Sequence, residues 1–413
     1  MLKHVHIQNV RSCRDVHLDN LGAMTVLVGR NGAGKTNILR AIQFAARNAV
    51  SQTTFEDPSL NLNAWAPPQN AQVALEFMLD GTFFRYVQRF VNPTRSKAQP
   101  RRQPAVAHET LESREGDILQ GVAWRSILSR EGEKVSAADK HGEVIQIGAN
   151  APCLSAVKSL LPQDDPLLKT IQPVVGYLSS IHYYPLDELN LLSTQPGFGT
   201  QIIRHTDYAQ WLQTKNPGST SSVLMRLIHM SQEMPEDFEQ LKELLGENGL
   251  GILLDIKVET FTFPGAPGAR KPEDKSDLIY FVQFFPNQST GREIRTYDQI
   301  SFGTRRLLRV LASMLHDKSL LTLIEQPEDG IHPGLLHKLI PMLKTNADAG
   351  QVIMASHSPA IFNRLLPEEI RLVEMRQSAT RVRALTNEEI EGAKQFMSAE
   401  GPLSDFIETI EDL

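Results

Sequence analysis

The chain has 413 residues, enough for two or three domains and a sizeable buried core. Hydrophobic residues at 41% and charged residues at 22% are those of a soluble globular protein, and a net charge of −6 leaves any DNA contact to a local patch or a partner. Two cysteines, Cys13 and Cys153, exclude a disulfide framework or zinc–thiolate cluster; no apolar N-terminal signal region and no run near the ~18 apolar residues of a membrane span are present, so the chain reads as cytoplasmic.

Residues His4 to Ile7 and Val16 to Leu18 read as two strands joined by a turn at Asn9-Val10-Arg11-Ser12. His4 and His6 share a face, which would suit a metal site or a solvated strand face; with no third ligand nearby, the solvated face is favoured. Met24 to Val28 is a short apolar run that predicts a buried strand, and Ile38, Leu39, Ala41, Ile42 and Ala45 recur at helical spacing. Between them stands Gly29-Arg30-Asn31-Gly32-Ala33-Gly34-Lys35-Thr36, the pattern of a phosphate-binding loop in the context that motif requires. Its glycines let the backbone curl around a phosphate, the helix N-terminus adds partial positive charge, Lys35 bridges β- and γ-phosphates, and the Thr36 hydroxyl ligates Mg²⁺.

Gln72 to Leu79 and Phe83 to Val91 alternate polar and apolar residues around Asp80-Gly81, which predicts a hairpin. Asn92 to Val106 is basic and proline-bearing, a loop or arm that either tracks a phosphate backbone or is simply solvated. Leu119 to Gly148 is polar and carries no assignment. Helices are expected over Leu154–Leu161, Pro166–Leu178, Tyr208–Thr214, Ser221–Ser231 and Glu236–Leu245, without the sustained heptads of a coiled-coil arm. Strands follow at Ile252–Phe263 and Leu278–Phe285, around the Pro-, Gly- and charge-rich loop Pro264–Asp277.

Three later motifs stand together. Ser301-Phe302-Gly303-Thr304-Arg305 precedes an amphipathic helix; Leu320 to Ile324 is an apolar strand ending in Glu325-Gln326-Pro327-Glu328; and Gln351 to Ala355 is a core strand delivering Ser356-His357-Ser358-Pro359. Taken singly, Ser301 could be a helix cap, Glu325 a loop acid and His357 a hydrogen-bonded histidine. A strand end is also where an acid reaches a bound Mg²⁺.

The order of phosphate loop, distant serine–glycine signature, acid-tipped strand and strand-end histidine resembles the ABC-type ATPases, within them the RecF, SMC-head and OLD-like branch. The opening His6-Ile7-Gln8-Asn9-Val10-Arg11-Ser12 and Glu325-Gln326-Pro327-Glu328 with His332-Pro333 carry that resemblance, over residues 1–92 and 295–375. It implies an α/β fold: an ABC-ATPase head with a P-loop core of mixed sheet and flanking helices, an N-terminal antiparallel β subdomain and an inserted helical lobe. The parts expected are an N-terminal ATPase lobe with the P-loop (1–92), an inserted arm, helical lobe and returning strands (93–299), a C-terminal ATPase part (300–375) and a tail (376–413) that is a candidate partner-binding segment.

The same resemblance implies that Asn31, Gly32, Ala33, Gly34, Lys35, Thr36 and Asn37 hold ATP, that Thr36 and Glu325 serve Mg²⁺, and that Arg11 and Ser12 lie near the nucleotide. Ser301 and Gly303 would cap the γ-phosphate bound to a second subunit, and His357 would sense it. Gln88 is either the Q-loop glutamine that meets the metal or a polar residue of a buried strand. Gln326 stands where the family usually has its water-activating glutamate; an amide orients water but accepts no proton, so hydrolysis should be slow unless Glu328 is recruited.

The expectation is therefore an ATP-sandwiched head-to-tail homodimer that regulates a DNA-repair or anti-phage complex. Too little chain follows His357 for a TOPRIM nuclease domain, so a separate nuclease or toxin effector is expected. Glu400, Asp405, Glu408 and Glu411, around an exposed acidic helix at Ser404–Ile410, read as a solvated or partner-binding face in preference to a metal site. The other readings are an ATP-locked scaffold with little hydrolysis, and a transporter motor, against which the Ser-Phe-Gly-Thr-Arg signature speaks.

Overall fold

Alternating burial along the first strands sets the architecture. In β1 (Leu2–Val10) the residues Leu2, Val5, Ile7 and Val10 are buried, and in β2 (Cys13–Leu18) so are Cys13, Val16 and Leu18, while the residues between them face outward. The computed structural model describes residues 1–50, 71–91, 105–115, 123–138, 144–148, 151–184, 202–213, 223–262, 278–287, 293–347 and 350–410. In chain order β3 (Met24–Val28) leads into α1 (Lys35–Val50), then β4 (Ala71–Leu79), β5 (Thr82–Val91), β6 (Ala105–Glu115), β7 (Arg125–Glu131), β8 (Lys134–Ala137) and β9 (Val144–Gln146). Next come α2 (Cys153–Leu160), α3 (Pro166–Ser179), β10 (Ile181–Tyr184), β11 (Ile202–Arg204), α4 (His205–Gln213), α5 (Val223–Glu233), α6 (Pro235–Leu245), β12 (Leu253–Thr262) and β13 (Leu278–Pro286). The last stretch holds α7 (Phe302–Asp317), β14 (Leu321–Glu325), α8 (Pro333–Ala347), β15 (Gln351–Ser356), α9 (Pro359–Phe362), β16 (Ile370–Arg376), β17 (Ala379–Ala384), α10 (Asn387–Ala399) and α11 (Leu403–Ile410).

The chain forms two compact units, one of Met1–Tyr183, Leu320–Glu325 and Lys344–Leu413, the other of Tyr184–Ser319 and Gln326–Leu343. These boundaries differ from the four sequence segments, because strands far apart in the chain pair in one sheet.

The first unit contains an eight-stranded sheet of order β2-β1-β4-β5-β6-β7-β8-β9, antiparallel throughout, and a mixed sheet of order β10-β14-β15-β3-β16-β17. Helix α1 contacts β1 and β4 of one sheet and β14 and β15 of the other. That double contact explains why it buries Ile38, Leu39, Ala41, Ile42, Phe44, Ala45, Ala46 and Ala49 rather than a single stripe. Gln351, 1% exposed, joins β15 to β1: its amide accepts from Leu2 N at 2.8 Å and donates to Leu2 O at 2.9 Å. The turn between β4 and β5 is the expected Asp80-Gly81, both at positive φ (47° and 81°), as a tight hairpin requires.

The second unit has a three-stranded sheet of order β11-β13-β12 with α5, α6 and α7 packed together. A buried pair ties α5 to the last turn of α7: Arg226 Nη2 lies 2.8 Å from Asp317 Oδ2 and Nε 3.0 Å from Oδ1. Asp317 stands at the unfavourable negative end of the helix dipole, and the bidentate guanidinium compensates it.

Several expectations change here. β7, β8 and β9 occupy the stretch left unassigned, short polar strands that their pairing in the large sheet stabilises. Residues 92–104 of the basic arm and the loop 263–277 lie outside the described residues. In the tail, β17 is an edge strand of the mixed sheet, and α11 is not an all-exposed acidic helix. It buries Leu403, Ser404 and Ile407 and sets Phe406 at a tilt against Phe396 of α10, leaving Asp405 and Glu408 outside. Among the described residues no helix is long and apolar enough to cross a membrane.

Candidate nucleotide-binding site

Strand β3 is buried along its whole length because it has paired neighbours on both sides, as its unbroken apolar run requires. The loop that follows turns at Gly34, with φ of 102°, and a Cβ there would lie 1.9 Å from Thr380 Oγ1, so glycine is obligatory. Lys35, 6% exposed at the first turn of α1, donates from Nζ to the carbonyls of Gly29 at 2.5 Å and Arg30 at 2.9 Å. A buried ammonium at a helix N-terminus places two sources of positive potential together, which is the field a polyphosphate selects.

The ladder register decides which side chains meet. Val28 pairs with Ser356, and Ala355 with Glu325, so β3, β15 and β14 end at one edge of the parallel region. Ligands of such sheets bind beyond the carboxyl ends of the strands. Glu325, 8% exposed, accepts there from the Thr36 hydroxyl and, at 2.5 Å, from the Tyr183 hydroxyl. Arg40 Nε in turn donates to Tyr183 Oη at 3.2 Å. Burial first, and then the Glu325 charge, push the Tyr183 phenol well above its ordinary range, so it stays a donor. His357 is exposed at the end of β15, beside the fully buried Ser356.

One hydroxyl and one carboxylate brought into contact are the donor set of a hard divalent cation that keeps most of its waters. The residues therefore fit Mg²⁺ at Thr36 and Glu325, with a triphosphate on the loop and Lys35.

A second set of hydrogen bonds closes over the loop. Arg11 Nη1 donates to Asn37 Oδ1 at 3.0 Å, and Asn37 Nδ2 donates to Ser12 Oγ at 2.8 Å. Thr380 Oγ1 donates to Ala33 O at 3.0 Å, which leaves Ser12 as donor in the 2.7 Å Ser12–Thr380 contact. Arg11, Ser12, Ala33, Gly34 and Asn37 thus come together, while Asn31 and Gly32 are exposed in the loop between. Thr380, Tyr183 and Arg40 escaped the sequence reading: each meets its partner only through strand pairing or helix packing.

Gln88 is a correction. It is 0% exposed in β5 and donates to Tyr86 Oη at 2.8 Å, within a buried cluster where Tyr86 also donates to Glu109 and Arg130 pairs with Glu109 at 2.8 Å. Its alternative reading, a polar residue of a buried strand, describes it; its amide stabilises that cluster instead of meeting a metal.

In the second unit Ser301 caps α7, its Oγ accepting from Thr304 N at 3.1 Å, and it remains exposed. Gly303 lies against the loop after β14: a Cβ would sit 2.4 Å from Gly330 O. Arg306, 6% exposed, donates to the Gln326 carbonyl and approaches Asp329 at 3.9 Å. Gln326 is left-handed (φ 43°), reversing the chain at once after the strand, and Asp329 N closes that turn on Gln326 O at 3.1 Å. Gln326 and Glu328 are half-buried.

Parts of the chain are similar to known proteins. Residues 1–113 match the model of an AAA ATPase domain, and residues 225–363 match that of an AAA domain described as putative AbiEii toxin, Type IV TA system. An OLD nuclease of Thermus scotoductus is 55% identical over 42 residues, 10% of this chain and 8% of that protein. An uncharacterized protein of Methanocaldococcus jannaschii is 40% identical over 42 residues, 10% of this chain and 19% of that one. The matches thus span under a fifth of those relatives. An SMC head solved in complex with the C-winged helix domain of ScpA superposes with a TM-score of 0.52 at 13% identity, covering 95% of this chain and 99% of that one, which establishes the fold. Two separate parts of the chain are thus similar to ATPase domains, and the fold is that of an SMC head.

Proposed function

We propose that the chain binds Mg-ATP at Lys35, Thr36 and Glu325 and closes into an ATP-dependent head-to-tail homodimer, hydrolysing slowly. The observation that carries this reading is the meeting of Thr36 and Glu325 at the strand ends. In the first unit these residues hold the metal and the β- and γ-phosphates. Ser301 and Gly303, at an exposed N-terminus of a 16-residue helix, would contact the γ-phosphate of a second copy. ATP then favours the dimer because the helix end gains an anion only in the closed state. Gln326 orients the attacking water without accepting its proton, with Glu328 a reserve base and His357 the phosphate sensor.

The biological role proposed is control of a cytoplasmic DNA-repair or anti-phage defence complex. The OLD nuclease and the toxin–antitoxin family description support it. The effector, a nuclease or toxin, would be a separate chain, with DNA a candidate ligand and higher oligomers built from the dimer. Gln326 also favours a second reading, an ATP-locked scaffold in which hydrolysis is incidental.

Sedimentation with a non-hydrolysable ATP analogue tests the dimer. Wild type should dimerise, Lys35→Ala should neither bind nor dimerise, and Ser301→Arg should bind the analogue yet stay monomeric. A wild type that remains monomeric with saturating analogue, or a Ser301→Arg protein that dimerises equally well, ends the proposal. Single-turnover hydrolysis timed against dimer lifetime separates the two readings: a dimer that outlives its ATP is a scaffold.

A further inference from the structure

The outward face of β1 and β2 carries a constellation that the nucleotide site does not use. His6 and His17 are directly opposed across the two strands, their rings stacked with centroids 3.9 Å apart and planes 16° apart. Asp15 lies two residues from His17 on the same face of β2. Its Oδ1 is 2.8 Å from His6 Nε2 and 3.5 Å from His17 Nε2. One ligand atom from each residue lies within 4.8 Å of the others, the one such group of histidine, cysteine and acid ligands among the described residues. The expectation that His6 lacked a third ligand fails because the ligands stand across the ladder, not along the strand.

We propose that His6, Asp15 and His17 form a site for a divalent transition-metal ion of the zinc type. Tetrahedral zinc with bonds of about 2.0–2.1 Å sets its ligand atoms about 3.3 Å apart. The 2.8 and 3.5 Å separations bracket that edge; because the two rings lie stacked, one imidazole has to turn out of the stack for both ring nitrogens to face the ion. Two imidazoles and one carboxylate suit zinc and its first-row neighbours in preference to Mg²⁺ or Ca²⁺, which take oxygen ligands. The site opens onto a shallow cavity of about 680 Å³ that also reaches His4, Asp19, Glu76, Arg89 and His108. That opening leaves a fourth coordination position for water or for a donor from a partner. The ion would cross-link β1 to the edge strand β2, whose shared turn carries the Arg11 and Ser12 that hold Asn37 and Thr380.

Metal-stripped full-length protein is titrated with Co²⁺, followed by visible absorption, and with Zn²⁺, followed by calorimetry. Wild type should take up one equivalent with tetrahedral d–d bands. His6→Ala and His17→Ala should each weaken binding at least tenfold and abolish the bands; Asp15→Asn should weaken it with the protein still folded by circular dichroism. Lys35→Ala should bind the metal as wild type does, which separates this site from the nucleotide site. Zn²⁺ should raise the thermal midpoint of wild type and leave that of His17→Ala in place. Binding unchanged in the His6→Ala, His17→Ala double variant, or no uptake by folded wild type, overturns the proposal.

Discussion

The phosphate loop and the start of α7 are held differently. Around the loop, polar groups from distant parts of the chain satisfy one another: Thr36 and Tyr183 on Glu325, Arg11 on Asn37, Ser12 on Thr380 and Thr380 on Ala33. Around the start of α7 the backbone of Gly303 lies against Gly330, the buried Arg306 holds the Gln326 carbonyl, and the cap Ser301 faces solvent. A preorganised polar cluster is what a site needs when the ligand must be gripped within one chain. An exposed helix end would suit the proposed contact with a phosphate held by a second copy.

The largest test of this contrast is structural. Arg226→Ala leaves the buried Asp317 carboxylate at the end of α7 without its guanidinium, though still against Tyr184 and His316, and should cost about 3–5 kcal/mol in urea unfolding. A loss below about 1 kcal/mol would mean that the far end of α7 is not anchored there. Next, Lys35→Ala should weaken ATP binding at least ~100-fold, about 2.7 kcal/mol, in direct titration with the protein still folded. Gly303→Ala should shift the helix start away from Gly330 at about 1–3 kcal/mol. It should cut analogue-driven dimerisation while sparing ATP affinity; equal damage to both would break the division of labour.

Tyr183→Phe keeps the ring and removes the donor to Glu325, so it should lower single-turnover hydrolysis about tenfold, some 1.4 kcal/mol, with little change in ATP affinity. An unchanged rate would reduce Tyr183 to a packing residue. The smallest effect belongs to Thr380→Val, which interrupts the relay between Ser12 and Ala33. About 1 kcal/mol of stability should go, seen as a lower midpoint of denaturation, with faster hydrogen exchange at the loop amides.

Much of this was legible without coordinates because its signals are local. The phosphate loop needs glycine at a left-handed turn between an apolar strand and a helix, and Met24 to Ala45 spells out all three. The capped start of α7, the Asp80-Gly81 hairpin and the acid-tipped β14 are equally local, each fixed by residues within a few positions of one another. Gln88 shows where such reading ends. A glutamine in an alternating strand looks the same whether it faces a metal or a buried tyrosine, and only the neighbouring strand β6, which brings Glu109, separates the two cases.

What the amino-acid order determined by itself was the set of elements and the chemistry of their tips, since period, glycine placement and strand-end residues act over one or two turns. Tertiary structure alone decided the company each tip keeps. Register set Val28 beside Ser356 and Ala355 beside Glu325, packing brought Tyr183 to that acid, and an edge strand near the C-terminal end laid Thr380 over Gly34. The same holds for His6 and His17, neighbours only because two strands pair. Such contacts depend on the free energy of burying whole sheets against α1, a quantity spread over the entire chain and written in no single stretch of it.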